Sequence, residues 1–222
     1  MSNNENQKDG PLADSEIKAK VVRKRPKPGE RRIQILQALA EMLEQPGAER
    51  VTTAALAERL SVSEAALYRH FASKAQMFEG LIDFIEQSIF NLVNQIIEKG
   101  ELEADSTHRP GHRQAAQIIT MVLQFGERNP GMTRVMVGDA LVFESERLIL
   151  RINQLFDKLE SSLKQCLRVT AQQNGSVAPT VEAQVSASVL CAFLSGRLQR
   201  YARSGFKRLP SEHLEASLSL LL

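Results

Sequence analysis

From residue 30 onwards, the apolar residues of this chain recur every three or four positions, which is the spacing of a helix face. The first such face consists of Ile33, Leu36, Leu39, Ala40 and Leu43. Pro46 and Gly47 follow it directly, and this pair predicts the end of the first helix. No stretch of the chain alternates apolar and polar residues between hairpin signals, so no strand is predicted.

The longest apolar stripe predicts a helix that begins near Lys74 and ends at Gly100. Its face consists of Phe78, Leu81, Ile82, Ile85, Ile89, Leu92, Val93 and Ile96. Further helical patterns follow, with a break at Asn129-Pro130-Gly131 and loops at "LEADSTHRPG" and "TAQQNGSVAPT". A last helix is expected after Pro210. The sequence therefore predicts an all-α fold.

The first 28 residues differ from the rest, because they are polar and contain three prolines but no periodic apolar face. We expect them to be a disordered basic N-terminal arm. The net charge is only +2, yet residues 18–32 carry eight Lys and Arg against Glu30 alone. Such a run is typical of a contact with nucleic acid or another anionic surface. On DNA it could lie along the backbone or in the minor groove. A solvated tail explains it equally well.

The composition limits the class of protein. The chain has 222 residues, of which 43% are hydrophobic and 24% charged, and this is enough to build a core. Cys166 and Cys191 lie inside apolar helical patterns, which favours reduced thiols in a cytoplasmic protein. No apolar segment at the start predicts a signal peptide, and no run of about 18 apolar residues predicts a membrane span.

Two short helical patterns around a tight turn follow the first helix. Either Thr52 or Thr53 is expected to cap the first of them, since a hydroxyl can accept a free backbone N–H. Ser63 is expected to cap the second, at about residues 63–71, with Glu64 in the first turn, where the helix dipole favours negative charge. A helix this short is marginal alone and must pack on its neighbours.

This arrangement predicts a helix-turn-helix, whose second helix enters the major groove of DNA. The predicted DNA-contacting residues are Thr52, Thr53, Ser63, Glu64, Ala65, Ala66, Tyr68, Arg69, His70 and Lys74. Tyr68, His70 and Lys74 can donate to phosphates, as can the threonines, and the two alanines let the backbone approach the groove. Arg69 can reach a guanine edge or another phosphate. The alternative is a plain three-helix packing unit with a surface histidine.

The segment "TTAALAERLSVSEAALYRHFASKAQMF" resembles the DNA-binding signature of TetR-type regulators, with "LYRHF" and the "SK" that opens the linking helix. The resemblance implies an all-α homodimer that binds palindromic double-stranded DNA. It implies a helix-turn-helix domain at residues 29–74 and a helical dimerisation and partner-binding domain at residues 75–222. Many TetR relatives have Gly at the corner where this chain has Ser61, which is then expected at positive φ.

Four further segments, "VTTAALAERLSVSEAALYRHFASK", "MFEGLIDFIEQSI", "FGERNPGMTR" and "RINQLFDKLE", resemble the nucleoid occlusion factors within this family. The likeness runs from about residue 30 to residue 210. It implies a cytoplasmic, nucleoid-associated protein that antagonises FtsZ when bound to DNA, and so inhibits septum formation and cell division over the chromosome. A ligand-responsive transcriptional repressor of the same fold is the alternative.

The same resemblance implies a groove for the C-terminal tail of FtsZ, formed by the linking helix and the "FGERNP" helix. Its expected residues are Phe84, Met121, Gln124, Arg128 and Asn129. From its residue type alone Phe84 is more often a core residue, and Arg128-Asn129-Pro130 can simply end a helix. The resemblance favours partner binding in both cases. Leu92 and Gln124 depart from the pattern, because close relatives are expected to have Arg and Gly there.

Other candidate sites are weaker. His108 and His112 are four apart, but "RPG" separates them and no further ligand completes a metal site. No nucleophile elbow or triad signature is present, so we predict neither an enzyme nor a cofactor. The two long helices near residues 141–168 and 181–204 are expected to form a four-helix bundle with their mates in a dimer. Small residues expected at that contact are Ala187, Ala192, Ser195 and Gly196.

Overall fold

The computed structural model describes residues 29–45, 51–102 and 110–222, and these residues form helices and connecting turns without a strand. The predicted all-α class is confirmed. The arm at residues 1–28, and His108, lie outside the described residues. The helices are α1 Glu30–Leu43, α2 Thr53–Arg59, α3 Glu64–Tyr68, α4 Lys74–Leu102, α5 Pro110–Arg128, α6 Pro130–Met136, α7 Glu146–Gln173, α8 Pro179–Arg203 and α9 Leu214–Leu221, with a 3-10 turn at Asp139–Leu141.

The first three helices and the turn after α3 contribute to the hydrophobic core that continues through α4 into the C-terminal helices. The fully buried residues of this part are Ile35, Leu39, Leu43, Leu56, Leu67 and Phe71. The predicted face of α1 is partly wrong, because Ile33 is 65% exposed. The buried face begins at Ile35, and Ile33 lies with Leu36 on an adjacent side of α1, where both line a surface groove.

Helix α4 joins this unit to the rest of the molecule. Its 29 residues span about 44 Å at the rise of an α-helix, and Met77, Phe78, Ile82, Ile85 and Ile89 on it are buried. Leu92 was expected on this apolar face, but it is 41% exposed. The stripe therefore continues through Val93 and leaves Leu92 beside it.

A row of ion pairs fastens α4 to α7. Arg147 binds Glu79, Arg151 binds both Asp83 at 2.8 Å and Glu86 at 3.1 Å, and Lys158 binds Glu86. The hydrogen bond from Lys158 lowers the pKa of Glu86 below its ordinary value, with burial opposing it. Because the paired residues advance in the same order along both helices, α7 runs parallel to α4 and begins near the helix-turn-helix end.

Helix α8 presents two different faces. Ala183, Ala187, Leu190, Leu194 and Leu198 are buried against the chain's own core. The opposite face is exposed and carries Val181, Val185, Val189, Ala192 and Gly196. The prediction that Ala187 lies at the dimer contact is therefore wrong, because the chain's own core already covers its face of α8.

A different hydrogen bond marks each end of the helical body, which consists of α4 to α9. At the far end, the N–H of Gly111 donates to Oγ1 of Thr170 at 3.0 Å. At the helix-turn-helix end, the hydroxyl of Tyr201 donates to the carbonyl of Glu127 at 3.2 Å. Helices α5 and α8 both run from the far end towards the helix-turn-helix end. Their C-terminal ends therefore lie on the side of the molecule that carries α1.

Candidate nucleic-acid interface and partner groove

The helix-turn-helix is held by its own capping residues. Oγ1 of Thr52 accepts the N–H of Ala55 at 3.2 Å, and Oγ of Ser63 accepts the N–H of Ala66 at 3.3 Å. Ser61 lies at φ 52°, as its corner position requires. Helix α3 is shorter than predicted, since it ends at Tyr68 and the following residues form its C-terminal turn.

A chain of side-chain hydrogen bonds crosses from α2 to α3. The hydroxyl of Tyr68 lies 3.5 Å from Oγ1 of Thr53, which donates to Oε2 of Glu64 at 2.6 Å. Tyr68 is 45% exposed, and Glu64 is exposed. Thr53, Glu64 and Tyr68 therefore lie together on one polar surface, where the Glu64 carboxylate orients the hydroxyl of Thr53 next to that of Tyr68.

The residues around this cluster are also accessible. Ala65, Arg69 and His70 are exposed and Ala66 is half-buried. Arg32 of α1 donates to the carbonyl of His70 at 3.1 Å, and its guanidinium lies 4.1 Å from the centre of the buried Phe71 ring. The basic start of α1 is thus fixed beside the end of α3.

Lys74 does not fit its predicted role as a free phosphate donor. Its ammonium forms an ion pair with Glu144, which precedes α7, and it lies 5.7 Å from the ring centre of Phe78. Both members of the pair are largely covered. Lys74 in this structure therefore connects the start of α4 to the helical body instead of pointing away from it.

The predicted partner residues divide between two grooves. Phe84 and Asn129 line a groove of about 360 Å³ between α1, α4 and α6, which we call the domain groove. Its other lining residues are Ile33, Leu36, Gln37, Ala40, Glu41, Glu44, Leu81 and Met132. Phe84 is 48% exposed, so its interpretation as a core residue is wrong.

Met121 and Gln124 were expected in the same groove, and this prediction is wrong. They line a separate open groove of about 730 Å³ between α5 and α9. The two residues project from the side of α5 that faces α9, whereas Val122 and Leu123 project from the side that is buried in the core. Arg128 is exposed at the end of α5, next to Asn129, and lines neither groove.

The "FGERNPG" segment packs against α1 on one side and against the residues that precede α9 on the other. Asn129 donates through Nδ2 to the carbonyl of Phe125 at 2.8 Å, and the hydroxyl of Thr133 donates to the carbonyl of Gly126 at 2.9 Å. Glu127 accepts the N–H of Ser211 at 2.7 Å. Gly131 lies against the backbone of Ala40 in α1. Arg128 is the member of this segment that remains exposed.

The contribution of α1 to the domain groove was not predicted from the sequence. Ile33 and Leu36 form a wall of the groove, and Glu41 and Glu44 of the same helix also line it. The available signal was that the apolar residues of α1 cover more than one face, which a helix packed on one side does not need.

Comparison with known proteins agrees with this architecture. Residues 35–81 match the model of the bacterial regulatory proteins of the tetR family, and residues 112–222 match that of a tetracyclin repressor-like C-terminal domain. The solved structure of the fatty acid degradation regulator FadR from Bacillus halodurans covers 88% of this chain and 96% of its own, with a TM-score of 0.68 and 15% identity. A transcriptional regulator from Rhodococcus sp. Rha1 has a TM-score of 0.65 at 20% identity, covering 86% of this chain and 92% of its own. These likenesses show the fold.

Curated relatives are much closer in sequence. The nucleoid occlusion factor SlmA of Vibrio vulnificus strain YJ016 is 48% identical over 196 residues, which are 88% of this chain and 95% of the relative. SlmA of Vibrio cholerae is 48% identical over 192 residues, 86% of this chain and 93% of its own. Within the described ranges, no helix is both long and apolar enough to cross a membrane. The chain belongs to the SlmA nucleoid occlusion factors, a branch of the TetR-type regulators.

Proposed function

We propose that this protein binds palindromic chromosomal sites as a homodimer and, while bound, antagonises FtsZ assembly over the nucleoid. The identity to SlmA proteins over most of both chains supports nucleoid occlusion. The capped helix-turn-helix with its exposed polar surface supports the DNA-binding step. The domain groove supports the partner-binding step, and it is the observation that carries the proposal.

DNA is read by α3 of each subunit in successive major grooves. Tyr68, Thr53 and Thr52 contact phosphates at the rim, and Arg69 and the two alanines of α3 face the bases. Glu64 already holds the hydroxyl of Thr53, so it sets the direction of these donors. The exposed valine face of α8 provides an apolar surface for the second subunit.

The domain groove takes the C-terminal tail of FtsZ. Ile33, Leu36 and Phe84 offer an apolar lining for the tail's hydrophobic side chains. Exposed Arg128 lies next to Asn129 at one side and can pair with an acidic residue of the tail. Glu44 of α1 also lines the groove, with its side chain beside Gly131. A peptide with apolar residues and charges of both signs fits this arrangement.

DNA activates the groove because α1 belongs to both sites. Arg32 of α1 is bonded to the end of α3, while Ile33 and Leu36 form the groove wall. DNA that fixes α3 therefore restricts α1 and with it the groove. Coupling of this kind is reciprocal, so the tail peptide must tighten DNA binding by the same factor as DNA tightens peptide binding.

Two titrations and one polymerisation assay test this. DNA affinity measured with saturating tail peptide is expected to exceed the affinity without it, and unchanged affinity would remove the coupling. FtsZ polymerisation followed by light scattering should be inhibited by the protein only when its DNA site is present. A DNA-bound protein that leaves polymerisation unchanged would favour the ligand-responsive repressor instead.

A further inference from the structure

The residues that line the domain groove carry negative charge only. They include two carboxylates, Glu41 and Glu44, but no Lys, Arg or His. Glu41 forms an ion pair with Arg59 at 2.6 Å, whereas Glu44 forms no ion pair with a cation of the described residues. Most of the other lining side chains are apolar. The groove therefore suits a segment that combines apolar side chains with positive charge.

One segment of this chain has that chemistry and directly precedes α1. Residues 17–27 include Val21 and Val22 and six Lys or Arg, but no Asp or Glu. We call them the basic segment; they lie outside the described residues, which begin at Gly29. Ile33 follows Gly29 by about one helical turn and already lines the groove. The basic segment is thus attached to the chain at one end of the groove.

The sequence and the backbone at the start of α1 both suit a reversal of the chain. Gly29 lies at φ 87°, a left-handed conformation that is common in turns. Residues 26–28 are Pro-Lys-Pro, and proline is also frequent in turns. A reversal at residues 26–29 would direct the basic segment back along α1, beside the groove.

The basic segment is long enough to follow the groove. The groove runs beside α1 from Ile33 to Glu44, which is about 16 Å at the rise of an α-helix. Residues 20–25 cover about 20 Å when extended, at about 3.3 Å per residue. Lys20 then comes level with Glu44, and the two valines come level with the preceding turn of α1. Neighbouring side chains of an extended chain point to opposite sides, so one of the valines can face the apolar lining.

We propose that the basic segment occupies the domain groove of its own chain in the DNA-free protein, and that DNA removes it. The proposal rests on the proposed function, because it concerns the groove assigned to the FtsZ tail. Lys and Arg that neutralise DNA phosphates release counterions, and this gain favours DNA over two carboxylates. The segment cannot lie in the groove and on DNA at once, so DNA binding frees the groove for the tail.

Covalent attachment makes a weak contact sufficient. A short flexible tether holds the segment near the groove at an effective concentration on the order of millimolar. If the segment fills the groove about nine-tenths of the time, the apparent affinity for the tail falls about tenfold. The competition is reciprocal, because a tail that displaces the segment also frees its cations for DNA.

The test measures binding of a synthetic FtsZ tail peptide to the full-length protein by calorimetry, without DNA and with a saturating palindrome selected from a random pool. Wild type is expected to bind the peptide about tenfold more tightly with DNA. Val21→Ser/Val22→Ser keeps the cations but removes the apolar side chains. Without DNA, it should bind the peptide about as tightly as wild type does with DNA. Leu12→Ser, which precedes the basic segment, is the control and should behave as wild type.

A second measurement reports the contact itself. Photoreactive benzoylphenylalanine in place of Val22 should cross-link to α1 or α4 without DNA and lose these cross-links with DNA, as mapped by mass spectrometry. Cross-links confined to other helices, or unchanged by DNA, would overturn the proposal.

The outcomes separate this proposal from the proposed function. If Val21→Ser/Val22→Ser keeps the full difference between DNA-free and DNA-bound peptide affinity, the segment does not block the groove and the proposal is wrong. If the variant loses peptide binding in the presence of DNA, the segment belongs to the tail site, which also overturns the proposal. Failure of DNA-bound wild type to bind the peptide would instead overturn the tail site, and the cross-links would still decide whether the segment occupies the groove.

Discussion

Gly131, at the start of α6, packs directly against the carbonyl group of Ala40 in α1. A β-carbon at residue 131 would overlap the carbonyl oxygen and lie 2.9 Å from its carbon. The two backbones can approach this closely only without a side chain. This contact sets the distance between the helix-turn-helix and the helical body, and so the width of the domain groove.

Gly131→Ala is therefore expected to push α6 away from α1. The overlap should lower the free energy of unfolding by about 1–3 kcal/mol and weaken the coupling between DNA and tail peptide. Thermal unfolding and the paired titrations measure the two effects. Asn94→Ala is the control, since Asn94 is exposed in the middle of α4, and the higher helix propensity of alanine should raise stability slightly. Equal stability of the two variants would show that the contact between residue 131 and Ala40 tolerates a methyl group.

Phe84→Ala should abolish binding of the tail peptide with little loss of stability, because Phe84 is 48% exposed. Phe78→Ala, on the same helix, is the contrasting variant. Phe78 is 1% exposed, and its removal should cost about 3–5 kcal/mol. Calorimetric peptide titration and thermal unfolding separate the two outcomes. Wild-type peptide affinity in Phe84→Ala would exclude the domain groove as the binding site.

Arg128→Asp should leave DNA affinity unchanged and abolish the antagonism of FtsZ. Arg128 is exposed at the end of α5, so reversing its charge disturbs no packing. The reversed charge would repel an acidic residue of the tail. Met121→Ala provides the comparison, because Met121 lines the other groove. If Met121→Ala lost peptide binding and Arg128→Asp did not, the tail would occupy the groove between α5 and α9.

Tyr68→Phe should weaken DNA binding while the fold is retained. The substitution keeps the aromatic ring of Tyr68 in α3 but removes its hydroxyl, which lies beside Thr53 of α2. A lost hydrogen bond to a charged group is worth about 1.5–3 kcal/mol, or a reduction in affinity of roughly one to two orders of magnitude. Anisotropy titration on the palindrome measures it. Unchanged affinity for DNA would mean that Tyr68 does not reach a phosphate.

The ion pairs between α4 and α7 should make stability depend on pH. Because the pKa of Glu86 is lowered in the folded state, its stabilising effect is present above the ordinary pKa of 4.5 and is lost as the pH falls through the lowered value. Glu86→Gln should therefore be less stable than wild type at pH 7, with the difference shrinking below pH 4. Glu98→Gln, on the exposed surface of α4, is the control for thermal unfolding at both pH values. A difference that persists below pH 4 would contradict an electrostatic cause.

Much of the DNA-binding unit could be predicted from the sequence, because its signals are local. The caps at Thr52 and Ser63 depend on residues within three positions, and the corner at Ser61 on its neighbours alone. The partner groove could not be predicted in the same way. Met121 and Asn129 belong to one sequence segment, but the rotation of α5 sends Met121 towards α9 and leaves Asn129 facing α1.

The sequence by itself determined the all-helical class, the helix-turn-helix and membership of the family, since periodicity, capping residues and a family signature are properties of short stretches of chain. Only the tertiary structure decided which exposed residues share a surface. Phe84 and Ile33 line one groove although 51 residues separate them, and Lys74 is paired with Glu144 across 70 residues. Contacts at such separations depend on how helices rotate and pack against one another, and helical spacing alone does not specify that rotation.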